Sequence, residues 1–246
     1  MQPSETNNPP MADHQDAAAQ MEDLEDATLS GKTTAALREA IISGKIAAGE
    51  KLNEPRLAEQ FNVSRGPLRE AIRRLVAMGL VRHIPHQGAT VVTLELEGIM
   101  ELYEVREALE GKAAALAASN MSDAQISELR ELFEVHKQHF QSNSGEYMQA
   151  EGDFDFHYRI IKGSGNQMLT NQLCNELYHL IRMFRYQTSK LSTRSNRALI
   201  EHEQLIDAIE QRDPQMAELV MRSHISRAKE AVRDFLSPNN KRQNSD

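Results

Sequence analysis

Residues 52–92, LNEPRLAEQFNVSRGPLREAIRRLVAMGLVRHIPHQGATVV, hold two short helical patterns, a turn between them and two β-branched runs around a glycine. Asn53 or Glu54 can cap the first helix, Pro55 suits a first turn, and Leu57, Ala58 and Phe61 make an inward face. Asn62-Val63 is the turn. Ser64 then caps a second helix whose Leu68, Ala71, Ile72 and Leu75 fall at i, i+3, i+4 and i+7, and Gly79 stops it. After Gly79 the period changes. LVRHIP and ATVVTL read as strands, and His86-Gln87-Gly88 between them reads as the tip of a hairpin.

The second helix carries Arg65, Arg69 and Arg73 at spacing four, opposite its apolar stripe, so the three guanidinium groups project from one surface. Its first turn offers free backbone N–H groups and the positive dipole end to a phosphate, and Gly66 permits close approach of another backbone. Arginine suits bidentate contact with guanine, worth about 1–3 kcal/mol of discrimination per pair. Taken alone, such a stripe reads equally as a solvated helix face. The charge distribution decides between the two readings. The chain carries a net −8, yet residues 29–94 hold ten Lys/Arg against five acids, whereas residues 1–28 hold seven acids and no Lys or Arg. A basic helix-turn-helix with a wing inside an acidic chain points to double-stranded DNA.

Outward from this module, a helical period begins at Leu29 and runs to about Ala40 through Leu37 and closes at Ser43-Gly44. Residues 1–28, rich in Pro, Asn, Gln, Ala and acids, read as a disordered tail, as do residues 237–246. Downstream, no segment reads as a strand. An apolar stripe from Ile99 to Ala118, a capping box at Ser122 and Gln125, and helices expected near 146–162, 166–189, 196–211 and 214–235 make about six helices over 95–236. The fold class is therefore mainly α: a winged helix-turn-helix over 29–94, then an all-α bundle.

Composition agrees. Aromatic residues are 5% of 246, Trp is absent and Gly numbers 12, which disfavours sandwiches and barrels. One cysteine excludes an intramolecular disulfide framework. No apolar run approaches the roughly 20 residues that cross a bilayer, and the N-terminus lacks the pattern of a secretory signal, so a cytoplasmic protein with no membrane partner is expected.

Within the bundle, Asp153 and His157 stand at i,i+4, which would stack them on one helix face as a chelating pair. His202 and His224 lie on later helices. Three imidazoles and a carboxylate suit zinc, manganese, nickel or iron and leave positions for water or a ligand oxygen. On the residues alone the alternative is histidines on helix faces, bonded to water or nearby acids.

The stretch quoted at the outset resembles the winged helix-turn-helix of GntR-type bacterial transcription regulators, with SRGPLREAIRRL as the recognition-helix signature and the Gly of HQGATV in the wing. The resemblance implies that Arg65 and Arg69 contact bases or adjacent phosphates, supported by Ser64, Gly66, Gln87 and Gly88. Threonine is common in the family where this chain has Gly66, so a hydroxyl contact is missing. ELYEVREALEGKAAALAA, GDFDFHYRIIKGSGNQML, EHEQLIDAIEQRD and MRSHISRA are similar, in order, to the all-helical ligand-binding domain of the FadR-type branch. That resemblance implies a divalent metal on Asp153, His157, His202 and His224, zinc first and manganese, nickel or iron as alternatives. It also implies a small carboxylic acid facing the metal. Arg106 is the leading residue for the acid's other end, with Arg182 and Arg185 as alternates, and the competing reading of Arg106 is an intrahelical pair with Glu110.

GDFDFHYRIIKGSGN and LCNELYHLIRMFRY are further similar to GntR-type regulators encoded with propionate-degrading, methylcitrate-cycle enzymes, which implies a short tricarboxylate or related acid. The expected function is a homodimeric, metal-dependent, carboxylic-acid-responsive repressor of a metabolic operon. The rivals are a metalloenzyme using the Asp/His site and a DNA-binding scaffold whose bundle only dimerises. No HExxH and no general base supports the enzyme.

Overall fold

The computed structural model describes residues 28–86, 88–93, 95–142, 155–189 and 192–236, with side chains at 187–189, 192–195 and 235 left aside. The two expected tails, Thr28 apart, lie outside the described residues, as do Gln87 and Asp153.

The N-terminal part is built from α1 (Leu29–Ile42), α2 (Glu54–Gln60), α3 (Arg65–Ala77), β1 (Val81–Ile84) and β2 (Gly88–Val91). Thr28 caps α1 by accepting from Gly31 N–H at 2.9 Å, and Asn53 caps α2 by accepting from Arg56 N–H at 3.1 Å. Asn62 makes the turn between α2 and α3 at φ 51°, a left-handed conformation its short polar side chain tolerates. Gly79 ends α3 in a Schellman motif: its N–H reaches Val76 O and the Leu80 N–H reaches Leu75 O. Leu37, Ile41, Leu68, Ile72, Leu75 and Leu80 are buried together, so α1 lies along α3 and fixes its tilt.

β1 and β2 pair antiparallel from Val81↔Val91 to Ile84↔Gly88. The turn uses left-handed backbone at His86 (φ 62°) as well as Gly88 (φ 87°), so glycine alone does not supply it. The segment between α1 and α2 adds a feature absent from the sequence reading: Lys51 forms an isolated antiparallel bridge with Thr90, and Leu52 N–H donates to Ala89 O at 2.9 Å. This pins the wing to the base of α2.

The C-terminal part comprises α4 (Leu96–Asn120), α5 (Asp123–Ser142), α6 (Phe156–Gly163), α7 (Gln167–Thr170), α8 (Tyr178–Ser189), α9 (Ser192–Glu210) and α10 (Pro214–Leu236). α4 and α10 pack along each other. Buried Ala113, Ala114, Ala117 and Ala118 permit this, and at Gly111 a Cβ would stand 2.5 Å from the Arg222 side chain. The capping box forms as expected, with Ser122 N–H to Gln125 Oε1 at 2.8 Å and Gln125 N–H to Ser122 Oγ at 3.2 Å.

Two expected helices change. The single helix over 166–189 is interrupted by a π-helical turn at Asn171–Glu176 that buries Leu173 and Cys174, an extra residue per turn that apolar periodicity does not register. Of the helix expected near 146–162, the described residues hold the part from Phe156 to Gly163, capped by an extended Asp155 (φ −95°, ψ 119°). Asp153, the expected i,i+4 partner of His157, lies outside the described residues.

α8 also packs against α1. At that seam burial first, then Arg38 and Arg182, push the His179 pKa down to about 4 from an ordinary 6.5. The folded chain thus binds fewer protons there than the unfolded chain between pH 6.5 and 4, so this stability is full above pH 6.5 and is lost as the pH falls toward 4. Urea titrations of wild type and His179→Gln should diverge across that window, with the wild type weakening more; parallel curves would place the loss elsewhere.

Candidate metal centre and nucleic-acid interface

Four helices converge on one buried cluster. α6 brings His157 in its first turn, α9 brings His202, α10 brings His224, and α4 brings Arg106 and Glu110. The three imidazole rings form a triangle with centroids 4.7–5.1 Å apart, and Phe156 stacks on His202 at 4.4 Å. All three histidines are buried.

Hydrogen bonding settles which ring nitrogens face each other. His157 Nδ1 lies 2.6 Å from Glu110 Oε2 and His224 Nδ1 lies 2.7 Å from Glu201 Oε2. Burial opposes ionisation of Glu110, but Arg106 and His157 beside it hold its carboxyl well below the usual range. An ionised carboxylate accepts, so His157 Nδ1 carries the hydrogen and its Nε2 presents a lone pair, and Glu201, itself held by Arg227 and Arg197, is placed to orient His224 in the same way.

Those lone pairs converge: His157 Nε2 is 3.2 Å and His224 Nε2 is 3.4 Å from His202 Nε2. One hydrogen on His202 could satisfy only one neighbour. A cation satisfies all three, and nitrogens about 2.0–2.1 Å from a tetrahedral ion lie about 3.3–3.4 Å apart, close to the spacing observed. Burial lowers the His157 pKa, with Arg185 adding to it against Glu110, so the ring is neutral and ready to ligate. The donor set fits a divalent transition metal.

The cluster extends through charged groups, of which sequence spacing revealed the Arg106–Glu110 pair but not Glu201, Arg227 or Arg197. Arg106 Nε donates to Glu110 Oε1 at 2.8 Å, so the i,i+4 pair exists, yet both partners are only 2% exposed. The Arg106 guanidinium also lies over the Tyr103 ring at 4.7 Å, and the buried Tyr103 hydroxyl has no hydrogen-bond partner among the described residues. On the far side Glu201 receives Arg227 at 3.1 Å and Arg197 at 3.3 Å. Glu201 sits beside His202 in sequence but serves His224, a tertiary reach with no local signal.

The fourth expected ligand, Asp153, lies outside the described residues. Its neighbour Asp155 accepts from His157 N–H at 2.9 Å and from Arg185 at 2.7 Å, and so orients the helix that carries His157. Arg182, an alternate for the acid ligand, instead reaches Glu39 on α1 at 2.5 Å.

At the other end of the molecule, Arg65 and Arg69 line one cleft between α3 and the wing, together with Lys51, Asn53, Glu54 and His86. Gly88 forms part of its rim, and Gln87 lies outside the described residues. Arg69 Nε donates to Glu54 Oε2 at 2.7 Å, which steadies the side chain and leaves its terminal nitrogens toward the cleft, with no partner among the described residues. Arg73 departs from the expected trio: it pairs with Glu70 and does not line the cleft.

Ser64 occupies the cap position of α3 but makes no capping bond. One of the two amides a cap would bind belongs to Pro67, which has none. Among the described residues the hydroxyl and the Gly66 amide therefore remain available, and a Cβ at Gly66 would meet nothing within 4 Å.

Comparison with known proteins matches both regions. Residues 29–91 match the bacterial regulatory proteins of the gntR family, and residues 101–227 match the FCD domain. The chain is 34% identical over 146 residues to the Nta operon transcriptional regulator of Aminobacter aminovorans, covering 58% of this chain and 69% of that one. It is 27% identical to the HTH-type transcriptional repressor RspR of Escherichia coli over 82% of this chain and 88% of that one. The solved structure of E. coli McbR/YncC shares the fold, with a TM-score of 0.68 and 21% identity over 86% of this chain and 100% of that one. Among the described residues no helix is long and apolar enough to cross a membrane. With a winged helix-turn-helix ahead of an FCD domain, the chain belongs to the GntR family of DNA-binding transcription regulators.

Proposed function

We propose that this regulator is a cytoplasmic homodimer that holds a divalent metal on His157, His202 and His224, with Asp153 as the fourth protein ligand, and that it responds to a small carboxylic acid. The observation that carries the reading is the convergence of three Nε2 atoms, two of them on rings aimed by glutamates. When bound, the metal supplies Lewis-acid sites for ligand oxygens. Arg106, engaged only through Nε and stacked on Tyr103, offers its terminal nitrogens to the far carboxylate, and the unpartnered Tyr103 hydroxyl offers a further donor. The family resemblance favours repression of a metabolic operon, with propionate metabolism and a short tricarboxylate as the narrowest form.

On the DNA side, Arg65 and Arg69 read bases or adjacent phosphates, Ser64 and Gly66 receive a phosphate at the start of α3, and Gln87 and Gly88 follow the neighbouring backbone. Arg73 serves as a peripheral phosphate contact after leaving Glu70. Arg182 is assigned to the contact with α1, so Arg106 remains the residue proposed for the acid.

Elemental analysis of the purified full chain, followed by thermal-shift assays of the Zn²⁺-loaded protein with mono-, di- and tricarboxylates, tests the reading. A ligand at a hundredfold excess over its Kd adds about 2.7 kcal/mol, roughly 5–10 °C for a chain of this size. Absence of bound metal together with no shift from Zn²⁺ would refute the metal centre, and a metal-loaded protein that ignores every acid would refute the effector.

A further inference from the structure

We infer that the Arg182–Glu39 pair couples the three-histidine centre to the recognition helix α3, with Asp155, Arg185 and α8 as the connecting parts. The inference rests on the metal reading above and names the residues that transmit it. Asp155 touches two things at once: its Oδ1 holds the His157 amide at 2.9 Å, and its Oδ2 holds Arg185 at 2.7 Å. Both the aspartate and the α6 backbone it caps are buried, so movement of His157 toward an ion displaces the carboxylate that Arg185 follows.

Arg185 and Arg182 lie three residues apart on α8 and therefore on adjacent turns of one side. Arg182 forks onto Glu39, with its two terminal nitrogens 2.5 and 3.4 Å from the two carboxylate oxygens. A fork fixes direction as well as distance. Glu39 stands between Leu37 and Ile41, the α1 residues buried in the core shared with Leu68 and Leu75 of α3. A shift of α8 is thus delivered to the helix that sets the tilt of the recognition helix.

Arg182 is mostly buried and Glu39 half exposed, so solvent screens the pair from the α1 side only. The geometry is bidentate, spans 143 residues of sequence, and occurs on the same face of α8 as the arginine that holds the metal-bearing helix.

Hydrogen exchange of the full-length protein, with and without Zn²⁺, tests the coupling. In the wild type, Zn²⁺ should slow exchange in α6 and α8 and also in α1, residues 29–42. Arg182→Ala should bind Zn²⁺ with unchanged affinity and keep the α6 and α8 protection while losing that in α1. The charge-swapped Glu39→Arg/Arg182→Glu double variant should regain it. The proposal is overturned if α1 protection survives in Arg182→Ala, if Zn²⁺ protects α6 but never α1 in the wild type, or if the swap fails to restore the effect. Failure of Zn²⁺ to bind or to protect α6 would instead remove the metal reading, and the coupling with it.

Discussion

His202→Ala should weaken Zn²⁺ binding by more than about 100-fold, beyond the 10–100-fold typical of losing a partner outside the ligand shell. His202 Nε2 is the atom against which both other Nε2 atoms are set, at 3.2 and 3.4 Å, so its removal leaves two nitrogens that no longer enclose an ion. Phe156 also loses its stacked neighbour, so circular dichroism must accompany the binding measurement. Glu201→Gln provides the graded control. It retains shape and a hydrogen-bond partner for His224 but removes the charge that fixes the tautomer, and should cost about 10–100-fold. Equal Zn²⁺ affinity in wild type and His202→Ala would mean that the ion binds elsewhere; equal affinity in Glu201→Gln would mean that the carboxylate serves folding alone.

The second large effect belongs to Arg69. Arg69→Ala should lower affinity for duplexes selected by the wild-type protein by about 5–150-fold, the equivalent of about 1–3 kcal/mol for one bidentate contact. Affinity for unselected duplexes should fall far less, because a base contact carries discrimination whereas phosphate contacts carry register. Arg73→Ala should show the opposite pattern: a small, sequence-independent loss and a shallower dependence on salt. The difference arises from placement. Arg69 is steadied by Glu54 inside the cleft, whereas Arg73 pairs with Glu70 outside it. If Arg69→Ala retained the full preference for selected duplexes, the reading head would have to be reassigned to Arg65 and the wing.

The winged module was legible because its signals are local. Helix caps, the Gly79 stop and the switch of apolar period all lie within a few residues of what they govern, and they appear where expected. Ser64 is the instructive exception: its type and position announce a cap, yet Pro67 removes one amide it would bind, and the hydroxyl stays open. In the bundle, the three histidines were visible as residues and the family resemblance grouped them. Their orientation was not visible, since it depends on Glu110 and Glu201 reaching across helices. Arg106 and Glu110 were readable as an i,i+4 pair, but pattern alone leaves such a pair on the surface, whereas here four helices bury it. The π-helical turn at 171–176 and the Arg182–Glu39 contact escaped for related reasons. The former shifts periodicity by one residue, and the latter joins positions 143 apart.

In the proposed function, a buried metal centre and its acid ligand set the affinity of the winged module for DNA. The decisive measurement is the Kd of the full-length protein for a duplex selected from a random library, taken with chelator, with Zn²⁺, and with Zn²⁺ plus the carboxylate that gives the largest thermal shift. Coupling of the usual size changes that Kd about 5–150-fold between the last two conditions. An acid that raises the thermal midpoint yet leaves the Kd unmoved would bind both states equally, and the account of regulation would be contradicted.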